Sequence, residues 1–179
     1  MPRLCTAHLL LLAMLFLAHQ SSCSQTGRVP DLRLESLNHG TIELGDLLHR
    51  GPVYISFWAL WCEPCKTELK ALQKFHETYG REGLTILAIN RDTQKSLAKV
   101  RAYLSAKGYT FTVCVDPDAE IFERLNGEAL PYSLLVAPDG TIAYTATGFL
   151  PGDEKKIERE INKLLTTPPP ATEKPEHQE

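Results

Sequence analysis

The sequence predicts an α/β fold in which a mixed central sheet carries helices on both faces and an added β-hairpin precedes it. Three observations lead there. The apolar, β-rich runs at residues 53–58 (VYISFW) and 84–89 (LTILAI) are each followed by a segment of helical period, the pattern of strand–helix–strand crossovers. A second hairpin is marked by Pro138-Asp139-Gly140 between two further β-rich stretches. The chain has 179 residues, of which 43% are hydrophobic and 23% charged, values ordinary for one soluble globular domain.

Each element has its own signal. Within residues 29–37, Leu32 and Leu34 alternate with Arg33 and Glu35, as in a half-buried strand. Asn38-His39-Gly40 supplies a turn, residues 41–44 return, and residues 45–48 make a short helical turn. Gly51-Pro52 then introduces the central strand at 53–58. From Cys62 the period changes. Leu69, Leu72, Phe75 and Tyr79 recur at helical spacing up to Gly80, the expected stop. After the strand at 84–89, Leu97, Val100 and Leu104 mark a helix closed by Gly108. Residues 111–115 form a third buried strand and 119–125 a short helix. Residues 133–137 and 141–147 form the second hairpin, and Ile157, Ile161, Leu164 and Leu165 a final helix.

The ends have a different character. Arg3 and the free amine precede the apolar run at residues 9–18, too short to span a bilayer but suited to an export signal. Residues 1–22 are therefore expected to be a signal peptide and 23–28 a linker left after processing. Ser21-Ser22-Cys23 resembles a bacterial lipobox, with Gln20 where Leu is usual, which makes Cys23 a candidate lipid anchor. Ordinary cleavage after Ser22 or Ser24 is the alternative. The folded domain is expected to span 29–165, and the Pro- and charge-rich residues 166–179 to form a disordered tail. A net charge of −3 without a Lys/Arg cluster argues against nucleic acid as a partner.

Cys5 falls in the signal and Cys23 at the processing point, leaving Cys62, Cys65 and Cys114 in the body. Cys114 lies in an apolar run and reads as a buried, unpaired thiol. The pair in FWALWCEPC could be half a zinc site, a disulfide clip or a redox pair. Zinc requires two more ligands, and neither a second CxxC nor a paired His supplies them; His76 would lie about 16 Å down the same helix. A clip across so short a loop removes little unfolded-state entropy. Redox chemistry uses the placement best. At the start of a helix, free N–H groups and the helix dipole stabilise a Cys62 thiolate, the nucleophile of disulfide exchange. Cys65 follows one turn later, where it can resolve a mixed disulfide, and Pro64 is tolerated in a first turn. No metal or other cofactor is required.

FWALWCEPC resembles the signature of the thioredoxin superfamily, and the order of elements is similar to that fold. RVPDLRLESLNHGTIELGDLL resembles the N-terminal hairpin of the exported TlpA/ResA-like branch, related to the AhpC/TSA redoxins, which shares the CEPC variant and the following KxE. The resemblance runs from about Val29 to Leu165. It implies that Leu130-Pro131 holds a cis-proline facing the motif, and that Trp61, Leu130 and Pro131 contact substrate. Relatives of thioredoxin type keep a buried Asp where this chain has Ser56. In the ResA-like pattern the carboxylate comes from three residues after the second cysteine, here Glu68. Helical spacing independently puts Glu68 on the Cys65 side, where partial burial would let it take that thiol's proton. Glu63 and Pro64 are implied to tune the reduction potential, with Glu63 opposing the Cys62 thiolate and favouring a moderate reductant. Two positions depart from the pattern. Lys70 replaces a frequent Pro, so the helix should lack a kink, and Tyr132 replaces a frequent Thr and is expected to reshape the substrate groove.

These expectations describe an exported, monomeric thiol-disulfide oxidoreductase of the bacterial periplasm or the outer face of a membrane. Its expected partners are protein disulfide clients, apocytochrome c among the candidates in cytochrome c maturation, and a membrane electron donor of thiol-disulfide type. Two alternatives stand beside it. A peroxiredoxin-like peroxidase would set its nucleophile behind a Pro and a Thr or Ser, which residues 57–61 lack. A non-catalytic anchored binding protein would hold the cysteines as a structural bond.

Overall fold

Among the described residues of the computed structural model, 27–38 and 40–166, seven strands form one sheet. They are β1 (Arg33–Ser36), β2 (Gly40–Glu43), β3 (Val53–Trp58), β4 (Thr85–Asn90), β5 (Thr112–Val115), β6 (Tyr132–Val136) and β7 (Ile142–Thr147), in the spatial order β2-β1-β5-β4-β3-β6-β7. The helices are α1 (Leu44–Leu48), α2 (Glu63–Tyr79), α3 (Leu97–Lys107), α4 (Glu120–Arg124) and α5 (Asp153–Thr166). The expected signal segment, Cys23, His39 and the residues after Thr166 lie outside the described residues.

Strands β3, β4 and β5 run parallel, while β1, β2, β6 and β7 join antiparallel. Both parallel crossovers step the same way across the sheet, and a common hand then puts their helices on one face. That is what is seen. Leu69 and Leu72 of α2, Val100 and Leu104 of α3, and Ile157 and Ile161 of α5 share one core layer with Tyr54 and Trp58 of β3. The opposite layer joins α1 and Phe122 of α4 to Val53, Ile55 and Phe57. All six residues of β3 are buried, because a central strand covered on both faces has no solvent side.

Helix α2 runs without a break past Lys70, as expected without a proline there. Its buried Leu69, Leu72 and Phe75 each contribute roughly 1.5–3 kcal/mol by leaving water. The helix ends at Tyr79 with Gly80 as its C-cap, as expected; Gly80 keeps a right-handed conformation and opens a 3₁₀ turn to Glu82, which Gly83 ends at φ 106°. Only the second glycine takes the left-handed backbone common at helix ends. At the other end, Gly27 and Arg28, expected in the linker, already pair with the second hairpin. The Ile142 amide donates to the Gly27 carbonyl at 2.8 Å, and Arg28 bridges Thr141.

Candidate active site

Strand β3 ends at Trp58 and α2 begins at Glu63, so residues 59–62 form a short connection at the carboxyl end of the parallel strands. Cys62 is the N-cap of α2. Its Sγ accepts the Cys65 backbone N–H at 3.3 Å, and the two cysteines form a disulfide with Cα atoms 5.3 Å apart. Cys62 is 5% exposed and Cys65 fully buried, so an incoming sulfur reaches Cys62 first. Pro64 sits in the first turn, where no helical N–H bond is missed. Glu63 is exposed and ion-paired with Lys66, which offsets much of the charge it brings to Cys62.

Glu68 is buried, with 1% of its surface exposed. One helical turn after Cys65, its carboxyl reaches the sheet and is bonded by three hydroxyls. Ser133 Oγ and Tyr54 Oη donate to Oε1 at 2.6 and 3.1 Å, and Ser56 Oγ donates to Oε2 at 2.7 Å. The register explains the convergence: Ser56 and Ser133 are direct partners across β3 and β6, and Tyr54 lies two residues along on the same face. Burial pushes the Glu68 pKa up, and the three hydroxyl bonds pull it partly back. The adjacent Tyr54 phenol is raised well above its ordinary value by its own burial and then by Glu68. The site therefore holds a carboxyl with heightened proton affinity one helical turn from Cys65.

The Leu130–Pro131 peptide is cis, and the Pro131 carbonyl accepts the Gly148 N–H at 2.7 Å. Continuing the β3–β6 register beyond Phe57↔Tyr132 sets Pro131 beside Trp58, at the same sheet end as Cys62. Leu130 is partly buried against both core layers, whereas Trp61 is 71% exposed. Tyr132 does not line this edge. Alternation along β6 turns it away from Ser133 into the opposite layer, where it packs against Phe57 and Phe122 and donates to the Leu125 carbonyl at 2.8 Å. The expectation that it reshapes the groove is thereby corrected.

Sequence reasoning missed Tyr54 and Ser133 as partners of Glu68. A serine inside the apolar run 132–136 is the signal that was available, since a buried hydroxyl calls for a hydrogen-bond partner. It also missed Asp92, whose carboxylate accepts the Leu60 N–H at 2.8 Å in the connection before Cys62. Cys114 is a free, buried thiol in the opposite layer, and burial pushes its pKa up to about 12.

The profile of the AhpC/TSA family matches residues 26–145. The thiol-disulfide oxidoreductase ResA of Bacillus subtilis is 31% identical over 131 residues, covering 73% of this chain and 72% of that one. ResA of Geobacillus kaustophilus is 26% identical over 149 residues, covering 83% of each. Among solved structures, a candidate thiol:disulfide interchange protein DsbE from Chlorobium tepidum superposes with a TM-score of 0.72 at 26% identity, over 78% of this chain and 96% of that one.

Proposed function

The chain belongs to the AhpC/TSA family, and from that premise we propose that it is a thiol-disulfide oxidoreductase that reduces disulfides in client proteins outside the cytoplasm. The observation that carries the reading is the Cys62–Cys65 disulfide at the amino end of α2, with the more exposed sulfur at the helix cap. In the reduced protein, the Cys62 thiolate attacks one sulfur of a client disulfide. The client S–S bond breaks, its other sulfur leaves as a thiolate and takes a proton, and a Cys62–client disulfide forms. Glu68 accepts the Cys65 proton, and the Cys65 thiolate attacks Cys62 Sγ. That step releases the client's second thiolate and restores the Cys62–Cys65 disulfide. Two electrons reach the client, and a thiol-disulfide donor at the membrane must return two to the protein.

In this reading Trp61, Leu130 and Pro131 meet the client, and Glu63 and Pro64 tune the pair. The export-type run at residues 9–18 supports an extracytoplasmic site, with Cys23 as the candidate point of lipid attachment. The ResA relatives, named thiol-disulfide oxidoreductases, support exchange with protein disulfides, and apocytochrome c is the candidate client. Insulin reduction tests the chemistry. Cys62→Ser should abolish turnover, and Cys65→Ser should accumulate mixed disulfides; two variants as active as the parent would sink the proposal. Peroxide consumption by the parent at a rate matching its disulfide exchange would instead favour a peroxidase.

A further inference from the structure

We propose that Asp92 is a positioning and redox-tuning residue, whose carboxylate anchors the connection carrying Trp61 and Cys62 and whose charge makes the dithiol a stronger reductant. The proposal rests on the redox reading of the cysteine pair. Asp92 lies two residues beyond β4 and is 7% exposed. Its Oδ2 accepts both the Leu60 N–H and the Asn90 side-chain N–H at 2.8 Å, and its own N–H donates to Asn90 Oδ1 at 3.1 Å. The fully buried Asn90 in turn takes the Asp116 N–H on its backbone carbonyl at 2.9 Å. The pair thus ties the motif connection to the ends of two strands. Trp61 stands largely in solvent and gains little from packing, so the backbone beneath it must be held by such bonds.

Those bonds do not require a charge. The amide oxygen of an asparagine at position 92 could accept the same two N–H donors. Among the described residues Asp92 has no ion-pair partner, and burying an unpaired carboxylate is costly. A cost that the geometry does not demand directs attention to what the charge itself does. Cys62 is two residues from Leu60, at most about 7 Å between Cα atoms and less across the turn that links the Cys62 N–H to the Ala59 carbonyl, within the screening length at physiological salt.

The other groups around Cys62 leave that charge uncompensated. Glu63 is paired with Lys66, and Tyr103 of α3 feels Glu63. The Arg91 guanidinium lies over the Phe122 ring at 4.3 Å, in the opposite layer, and the Asp116 carboxylate is taken by the Ile121 and Phe122 amides. The helix amino terminus favours the Cys62 thiolate, and Asp92 opposes it. A destabilised thiolate shifts the equilibrium toward the disulfide, so electrons are given up more readily.

The test uses reduced full-length protein, Asp92→Asn and Asp92→Ala. Two unit charges a little under one screening length apart in a water-like medium correspond to roughly a threefold effect. Asp92→Asn should therefore lower the Cys62 thiol pKa, read from alkylation rate against pH, by about half a unit. At a pH above that value, its equilibrium with dithiothreitol should move about threefold toward the dithiol, or about 14 mV at 29.6 mV per tenfold. Asp92→Ala should show the same shift and also a higher KM for insulin, because it loses the anchor. An unchanged thiol pKa and equilibrium in either folded variant would overturn the proposal, as would a shift of opposite sign. Parent protein that exchanges with dithiothreitol but leaves insulin intact would defeat the client-reductase reading alone, while the Asp92 shift could still be measured.

Discussion

Glu68 must be buried to hold a proton tightly, yet it must be hydrogen-bonded to be buried at all. The three hydroxyls meet the second demand without supplying a counter-charge, which preserves the first. Its folded pKa is raised from 4.5, so between 4.5 and that higher value the folded state binds more protons than the unfolded one. Stability present below 4.5 is then lost as pH rises through the folded pKa. Glu68→Gln should abolish that decline in urea melts taken across pH, and should slow the resolving step at every pH. Ser133→Ala removes the shortest of the three bonds, at 2.6 Å. It should cost about 1 kcal/mol of stability and move the Glu68-dependent limb of the pH–rate profile to higher pH. For Cys114, burial and a pKa of about 12 predict no labelling of native protein by iodoacetamide under conditions that label reduced Cys62, and ready labelling in denaturant.

At the scale of elements, the site depends on how β3 and β4 lie against each other. Where they begin, Gly51 has φ 147°, and a Cβ there would come within 2.4 Å of the Gly83 carbonyl oxygen. The backbone of the two connections meets at this point, with the Thr85 N–H donating to the Pro52 carbonyl at 2.9 Å. Gly51→Ala should therefore destabilise the protein by roughly 1–3 kcal/mol in denaturant titration, although it lies at the opposite end of β3 from the cysteines. Element identities were largely legible in the sequence. Continuous apolar runs bounded by Gly and Pro mark β3 and β4, and the spacing of Leu69, Leu72 and Phe75 marks α2. The stop at Gly80 was legible too, whereas the 3₁₀ turn after it and the left-handed Gly83 that ends that turn left no periodic signal.

At the scale of the whole molecule, two core layers sandwich the sheet, and the disulfide belongs to only one of them. A bond closing so short a loop constrains the unfolded chain little. Reduction should lower stability by roughly 2 kcal/mol and leave the fold intact, as followed by denaturant melts of oxidised and reduced protein. Loss of cooperative folding on reduction would show instead that the pair is a structural staple. By itself the sequence determined the order of elements, the redox pair at the start of a helix, and the placing of Glu68 on the face of Cys65. All of these follow from local periodicity, which repeats every few residues. Only the tertiary structure decided that Ser133 and Tyr54 join Ser56 around that carboxyl, that Tyr132 turns away from it, and that Asp92 holds the backbone before Cys62. Those meetings depend on strand register and on which chain ends the sheet brings together, and residues tens of positions apart carry no local signal of either.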